Sequence, residues 1–119
     1  MSRRTERLND LLREEISWII AREMRDPRLS LLVTITRAEI SSDFRQATIH
    51  VSILGTDEEK KVTVELLQTA TGFLQRELKP KLELRYVPAL IFKLDQSIEE
   101  DMRMAQLLDT AQTPKRPTT

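Results

Sequence analysis

Residues 62–78 read VTVELLQTATGFLQREL, and this stretch decides the fold. Apolar residues recur in it at the spacing of one helical face, both before and after Gly72, which is one of two glycines in the chain. A glycine inside a helix costs about 1 kcal/mol relative to alanine. We therefore predict two helices joined by a bend at Gly72, where the backbone turns or comes close to another molecule.

The residues before this stretch predict one helix and two strands. An apolar stripe with helical spacing predicts a first helix over residues 5–24, ended by Pro27. Apolar and polar residues alternate over 33–36 and again over 48–53, which is typical of half-buried strands. Turn-forming residues between these two segments indicate that the second strand returns antiparallel to the first.

The ends of the later elements also carry signals. Thr56 and Glu59 predict a capping box at the start of the second helix. The helix that follows the bend should stop near Pro80. Residues 85–94 predict a third strand, in which Pro88 indicates an edge position or the beginning of the strand. A second capping box predicts a terminal helix over 97–109.

The predicted order is α-β-β-α-kink-α-β plus a C-terminal helix. Strands with one apolar and one polar face call for helices on one side only, so we expect a two-layer α+β domain. We find no internal repeat and no linker. The sequence therefore predicts a single domain over residues 1–110, followed by a disordered tail over 111–119.

Composition narrows the functional classes. The 119 residues include no cysteine, which excludes disulfides and thiolate metal sites. No apolar segment is long enough to cross a bilayer and no signal sequence is visible, so we expect a cytoplasmic protein with no membrane partner. The net charge is zero, unlike that of a general nucleic-acid coat protein. Residues 70–93 nevertheless carry a net charge of +3, which the acidic residues of 95–109 offset.

Catalysis is poorly supported. His50 is the single histidine, and its place in the strand pattern predicts a solvated side chain without an obvious partner. Two isolated glycines cannot form a phosphate-binding loop, and the acidic residues fall at helix caps and exposed turns. We therefore expect a protein that is not an enzyme, with no cofactor, no metal and no small-molecule substrate.

Binding of an RNA backbone has more support. KH domains clamp RNA phosphates at a glycine-containing loop between two helices, which corresponds to Ala70 and Gly72 in the predicted order. Amides at the start of the helix after the bend would carry partial positive charge. Close packing of the two helices is the alternative reason for small residues there. The cations that we expect to contact phosphate follow the bend: Arg76, Lys79, Lys81 and Arg85.

A second group of arginines is a weaker candidate. Those of the first helix have acidic neighbours three or four residues away, so pairing within the helix is an alternative explanation. Those near Pro27 could complement the helix dipole. Aromatic residues are scarce: Trp18, Phe73 and Phe92 are assigned to the core, so we favour recognition of backbone or shape over base stacking. The secondary RNA-binding candidates are Arg3, Arg4, Arg7, Arg25, Arg28 and Arg45.

Four segments together resemble a known family. They are RDPRL at 25–29, SDFRQA at 42–47, ATGFL at 70–74 and LRYVPALIF at 84–92. In this order and spacing, the chain resembles ribosome-binding factor A, a bacterial assembly factor of the small ribosomal subunit, over roughly residues 4–108.

The resemblance implies a type II KH-like fold whose Gly-x-x-Gly loop is replaced by an Ala-x-Gly kink at 70–72. It implies a monomeric factor that binds the immature small (30S) subunit and contacts its rRNA near the 5′-terminal helix. Such a factor supports late maturation and rRNA processing, matters most in the cold and leaves before translation. The family usually has a basic residue two positions after the kink phenylalanine, whereas this chain has Gln75 there and Arg76 next.

Two other interpretations remain open at this stage. The polar sheet face or the acidic terminal helix could dock a protein partner. A KH-like domain could also bind free single-stranded RNA, although the shortage of aromatic residues argues against that alternative.

Overall fold

The computed structural model of this chain describes residues 2–22, 33–96 and 102–108. Residues 102–108 form a C-terminal helix, α4, and a short 3-10 helix lies at Lys79–Lys81. This order confirms the predicted α-β-β-α-kink-α-β fold with a C-terminal helix. The other elements are α1 (Arg3–Arg22), β1 (Val33–Ile40), β2 (Gln46–Ile53), α2 (Asp57–Thr69), α3 (Thr71–Leu78) and β3 (Ala89–Leu94).

The three strands form one mixed sheet with β2 in the centre. β1 pairs with β2 antiparallel, as their short connection requires, and β3 pairs with β2 parallel. A bulge at Thr36 shifts the register of β1, because Ile35 faces Val51 while Arg37 already faces His50. The parallel pairing aligns the beginnings of β2 and β3, with Gln46 opposite Ala89.

The helices cover one face of the sheet, as the alternation of apolar residues predicted. Along β2 every second residue is buried, and the residues between them are only partly covered. The buried side chains of the sheet pack against those of α1, α2 and α3 in one core. The most deeply buried members of this core include Leu12, Ile16, Ala47, Ile49, Val51, Leu67, Leu74 and Leu78.

Three elements begin at other residues than the sequence predicted, and one of them is β2, which begins at Gln46 rather than Thr48. α1 begins at Arg3 rather than Thr5, because the Ser2 hydroxyl accepts the Thr5 N–H at 3.1 Å and caps the helix. β3 begins at Ala89 rather than Arg85. Pro88 has no N–H to donate, and the ladder starts with the next residue, whose N–H donates to Arg45 O at 2.9 Å.

The first predicted capping box is confirmed. The Thr56 hydroxyl accepts the Glu59 N–H at 3.1 Å, and the Glu59 carboxylate accepts the Thr56 N–H at 2.8 Å. Gly55 leads into this cap with a φ of 145°, a conformation that favours glycine. The second predicted capping box and the tail at 111–119 lie outside the described residues.

Trp18 does not belong to the core, contrary to the sequence-based assignment. Its side chain is 47% exposed, and the Lys81 ammonium lies 5.0 Å from the centre of its ring. The position at the edge of the apolar stripe explains this, since the ring covers the helix surface while Ile16 and Ile19 face the sheet.

Candidate RNA interface

The two helices predicted around Gly72 separate at Ala70. Ala70 has φ −86° and ψ 5°, and it lies between the last residue of α2 and the first of α3. Its N–H contacts the carbonyls of Leu66 and Leu67, and the Thr71 hydroxyl donates to Gln68 O at 3.0 Å. The chain therefore breaks the helix at Ala70, the first residue of the predicted 70–72 kink and two residues before Gly72.

Gly72 lies inside α3 and its surroundings are open. A Cβ atom placed on it would have no neighbour within 4 Å beyond its own helix backbone and adjacent residues. Close packing of the helices is therefore not the reason for a glycine here. The residue is exposed, and its missing side chain leaves the start of α3 accessible from the solvent side.

The start of α3 presents backbone N–H groups without a side-chain cap. The first intrahelical bond runs from Leu74 N to Ala70 O at 3.0 Å, so the amides of the preceding turn point out of the helix end. This end carries the positive pole of the helix dipole. Arg76 is exposed one turn further on. We call Ala70, Thr71, Gly72, Phe73 and Arg76 the kink surface.

Two glutamines fix the kink surface to the edge strand β3. Gln68 donates to Leu90 O at 2.9 Å and accepts the Phe92 N–H at 3.0 Å through its side-chain amide. Gln75 donates to Pro88 O at 3.0 Å. These two contacts were not predicted from the sequence, because Gln68 lies on α2 and Gln75 on α3 and only the packing of both helices brings their amides to this segment.

The lysines after the kink are used differently from each other. Lys79 is exposed in the 3-10 helix. Lys81 lies 3.3 Å from the Glu15 carboxylate of α1 and also covers Trp18. Its charge therefore already has a carboxylate partner within the protein.

Three of the predicted arginines converge in a cleft of about 510 Å³. Arg4 comes from the first turn of α1, Arg45 from the β1–β2 turn, and Arg85 from the segment before β3. Tyr86 also lines this cleft, and its side chain is 73% exposed. We call Arg4, Arg45, Arg85 and Tyr86 the arginine cleft.

The β1–β2 turn holds Arg45 in place. Ser41 donates to Asp43 Oδ1 at 2.7 Å, and the Arg45 N–H donates to the same oxygen at 3.1 Å. These hydrogen bonds, the Ser41 bond first, together with the nearby Arg45 charge lower the pKa of Asp43 below its usual value. Phe44, which has φ 59°, packs its ring against the core and completes the turn.

The remaining sides of the arginine cleft are fixed by neighbouring contacts. Asn9 on α1 accepts the Ile40 N–H at 2.8 Å, which holds the start of α1 beside the turn. The segment that carries Arg85 and Tyr86 lies between two buried residues, Leu82 and Pro88. Pro88 O accepts from Gln75, so one peptide segment connects the kink surface with the arginine cleft.

The other candidate arginines are not brought to this cleft by the described contacts. Arg3 and Arg7 are exposed on α1, and within the part of the chain that the structure describes neither forms an ion pair. The predicted pair of Arg3 with Glu6 is thus not formed. Arg25 and Arg28 lie outside the described residues.

His50 differs from the sequence-based expectation. Its side chain is only 15% exposed, and its Nε2 atom lies 2.8 Å from Glu39 Oε1. The same carboxylate oxygen lies 3.3 Å from Arg37 Nε. The register of β1 and β2 explains this cluster, because Arg37 faces His50 directly across the strands.

Among residues 2–22, 33–96 and 102–108, no helix is long and apolar enough to cross a membrane. The same residues contain no cluster of three or more His, Asp or Glu that could hold a metal ion.

A mixed three-stranded sheet, covered on one face by helices that include a kinked pair, is the architecture of a type II KH-like domain. Comparison with known proteins gives the family. The family model of ribosome-binding factor A matches residues 4–108. This chain belongs to the ribosome-binding factor A family.

Individual relatives agree with this assignment. Ribosome-binding factor A of Protochlamydia amoebophila is 46% identical over 105 residues, which cover 88% of this chain and 80% of the relative. A solution NMR structure of a ribosome binding factor A protein from Thermotoga maritima is 39% identical, with a TM-score of 0.58 over 75% of this chain and 80% of that one.

A third similarity concerns the fold alone. It is with a homology model of Thermus thermophilus ribosome binding factor A, fitted into a cryo-EM map of its complex with the 30S subunit. The identity is 22% and the TM-score is 0.56, over 82% of this chain and 97% of that one.

Proposed function

We propose that this protein is an assembly factor that binds the immature small ribosomal subunit through backbone contacts to its rRNA. It binds near the 5′-terminal helix of that rRNA and supports late maturation and rRNA processing, most of all in the cold. Family membership gives the class of partner. The observation that carries the mode of binding is the open, exposed Gly72 at the uncapped start of α3.

The kink surface supports this mode for a physical reason. A phosphate that approaches the start of α3 meets outward N–H groups, the positive end of the helix and no side chain at position 72. Arg76 is one turn away and offers a forked donor to the same or the next phosphate. Lys79 extends the positive surface along the chain.

The arginine cleft supplies a second set of phosphate contacts. Arg4, Arg45 and Arg85 form no ion pair within the described residues, and the Asp43 carboxylate near Arg45 offsets only one of the three charges, so a positive excess is available to a polyanion. The net charge of the protein is zero, and a neutral protein binds an RNA tightly only where its positive residues are gathered. Arg3, Arg7, Arg25 and Arg28 are secondary candidates for the same role.

The proposal also covers the oligomeric state, the location and the domain organisation of the protein. The protein works as a monomer in the cytoplasm, forms one domain over residues 1–110 with a tail at 111–119, and acts by binding rather than by catalysis. It needs no cofactor and takes no small-molecule substrate.

Sedimentation with purified small subunits tests the proposal. We expect the protein to migrate with free small subunits, but not with large subunits or translating ribosomes, in low and moderate salt. Migration at the top of the gradient in both salts would overturn the proposed function.

Variants of Gly72 test the mode of binding. Gly72→Leu should weaken binding about tenfold or more, because it separates a phosphate from the α3 amides and each charged hydrogen bond contributes about 1.5–3 kcal/mol. Gln96→Leu is the control for a newly exposed leucine, since it places the same side chain at an exposed position beside the opposite end of α2. Equal affinity of both variants, with unchanged circular dichroism spectra, would exclude the kink from the contact.

Arg76→Ala tests the predicted phosphate contact. The slope of log affinity against log salt should fall by about one unit, as expected for the loss of one phosphate contact. An unchanged slope would show that Arg76 contacts no phosphate.

A protein partner is the second candidate function. α4 exposes four large apolar side chains, and an exposed apolar patch of this kind marks a protein interaction site. They are Met102, Met104, Leu107 and Leu108. Treatment of the purified complex with ribonuclease separates the two functions, since a complex held by protein contacts alone would survive it.

A further inference from the structure

The arginine cleft has the dimensions and the lining of a ligand site. Its volume of about 510 Å³ falls within the roughly 300–1,000 Å³ of small-molecule and cofactor pockets. It lies where β2 and β3 begin, and its lining residues come from three separate parts of the chain. The sequence gives no reason for them to meet, because Arg4 and Arg85 are far apart along the chain.

The charge of this cleft suits an anion. Three arginines line it, and Asp43 is the carboxylate among the lining residues. Asp43 Oδ1 already accepts two hydrogen bonds within the β1–β2 turn, from Ser41 and from Arg45 N. The cleft therefore keeps a positive excess, with planar guanidinium groups that match phosphate oxygens.

Tyr86 adds a flat aromatic surface to this cleft. The Arg85 guanidinium lies 5.5 Å from the centre of its ring, which is cation–π distance. The side chain is nevertheless 73% exposed, so the ring keeps a large surface open to a ligand. An aromatic ring held against an arginine and open to solvent is a surface on which an unstacked base packs.

We propose that the arginine cleft holds one unpaired nucleotide of RNA, with its base on Tyr86 and its phosphates on Arg4, Arg45 and Arg85. This inference rests on the proposed function and adds a base-stacking contact, which the scarcity of aromatic residues argued against. A paired base is stacked inside its helix and cannot reach Tyr86, so the nucleotide is unpaired. An acidic peptide would use the arginines but has no need of an exposed ring.

Two substitutions of Tyr86 separate stacking from structural effects. Tyr86→Leu keeps an apolar side chain but removes the ring, and Tyr86→Phe keeps the ring. Binding to purified small subunits should weaken about tenfold for Tyr86→Leu and stay at the wild-type value for Tyr86→Phe. The salt slope should stay constant in both variants, because no phosphate contact is lost. In Arg45→Ala the salt slope should fall by about 0.7–1 unit, because one phosphate contact is lost.

A lysine elsewhere provides the control. Lys61→Ala removes an exposed cation on α2, outside both surfaces, and should leave affinity at the cleft unchanged. Wild-type affinity of Tyr86→Leu would overturn the inference. So would a Tyr86→Phe variant as weak as Tyr86→Leu, since the hydroxyl rather than the ring would then be responsible.

Cross-linking identifies the ligand. Photoreactive p-benzoylphenylalanine in place of Tyr86 should give an adduct with rRNA when the protein is bound to the subunit, and an adduct with a ribosomal protein would overturn the inference. If the wild-type protein does not bind subunits at all, the proposed function fails. Binding at the cleft is then measured with a short single-stranded RNA oligonucleotide. A lower affinity of Tyr86→Leu but not of Tyr86→Phe would support the inference, and equal affinities would overturn it.

Discussion

The helix of the kink surface and the arginine cleft both contact the segment before β3, yet the two surfaces are built in different ways. The kink surface offers backbone amides on a helix that Gln68 and Gln75 tie to the sheet. The arginine cleft offers long side chains from three segments. A backbone surface is rigid and tolerates any RNA sequence, whereas the cleft adds an aromatic ring that requires an unpaired base.

The local distribution of charge explains how a protein without net charge can bind a polyanion. The acidic residues after β3 balance the total, but Arg4, Arg45 and Arg85 are gathered in one cleft. Local arrangement, not the total charge, then sets the strength of a phosphate contact.

The largest effect on subunit binding is expected when all three arginines of the arginine cleft are removed. The triple variant Arg4→Ala, Arg45→Ala, Arg85→Ala should lower the salt slope of subunit binding by about two to three units, since one ion contact is lost per arginine. The slope is measured by titration over a range of salt concentrations. A fall no larger than that of Arg76→Ala alone would mean that the kink surface carries the electrostatic contact.

A smaller effect tests the clamp between α2 and β3. Gln68→Ala leaves Leu90 O and Phe92 N without their side-chain partner and should reduce the free energy of unfolding by about 1–3 kcal/mol. Urea denaturation measures it. Gln68→Glu is the informative control, because a carboxylate still accepts the Phe92 N–H but cannot donate to Leu90 O; it should be intermediate. Wild-type stability of Gln68→Ala would mean that the clamp does not stabilise the fold.

A substitution of Gly72 by alanine should separate stability from binding. Because Gly72 lies inside α3 with open space around it, Gly72→Ala should raise the free energy of unfolding by up to about 1 kcal/mol. Binding to the subunit should nevertheless weaken, because a methyl group stands where phosphate approaches. Denaturation and sedimentation on the same preparation check both halves, and a destabilised variant would contradict the open surroundings of Gly72.

The smallest effect concerns pH and lies outside both surfaces. The hydrogen bonds from Thr56, its backbone N–H first, hold the pKa of Glu59 below its ordinary value of 4.5. A lowered folded-state pKa stabilises the fold above the ordinary pKa, and this contribution is lost as the pH falls below 4.5. The difference in melting temperature between the wild type and Glu59→Gln should therefore shrink from pH 7 to pH 3.

The neighbouring Glu58 provides the comparison. Glu58→Gln removes the same charge from the first turn of α2 without touching the capping box, and its effect at pH 7 should be smaller than that of Glu59→Gln. Equal effects of the two substitutions would assign the stabilisation to the helix dipole rather than to the cap.

Much of the fold could be predicted from the sequence, because the signals are local. Apolar periodicity placed the helices and strands within a few residues, and Thr56 and Glu59 marked a cap that forms as predicted. The errors lie at ends and edges. The residue at which β3 begins depends on its hydrogen-bond ladder with β2. The exposure of Trp18 depends on which side of α1 the sheet covers.

The candidate site was predicted only in part. The sequence named Arg4, Arg45 and Arg85 separately, but it ranked Arg4 and Arg45 below Lys81. In the structure Lys81 is paired with Glu15, while the three arginines line one cleft. Tyr86 was missed as part of the site, since a lone exposed tyrosine gains meaning only from the groups around it.

By itself the sequence determined the order of elements, the one-sided sheet and the presence of a kink, since each follows from residues within about two helical turns of each other. Only the tertiary structure decided where the helix breaks, which glutamines cover the edge of β3 and which cations meet. These depend on packing between segments distant in the chain, because a side chain finds its neighbours only after its element has docked on the core.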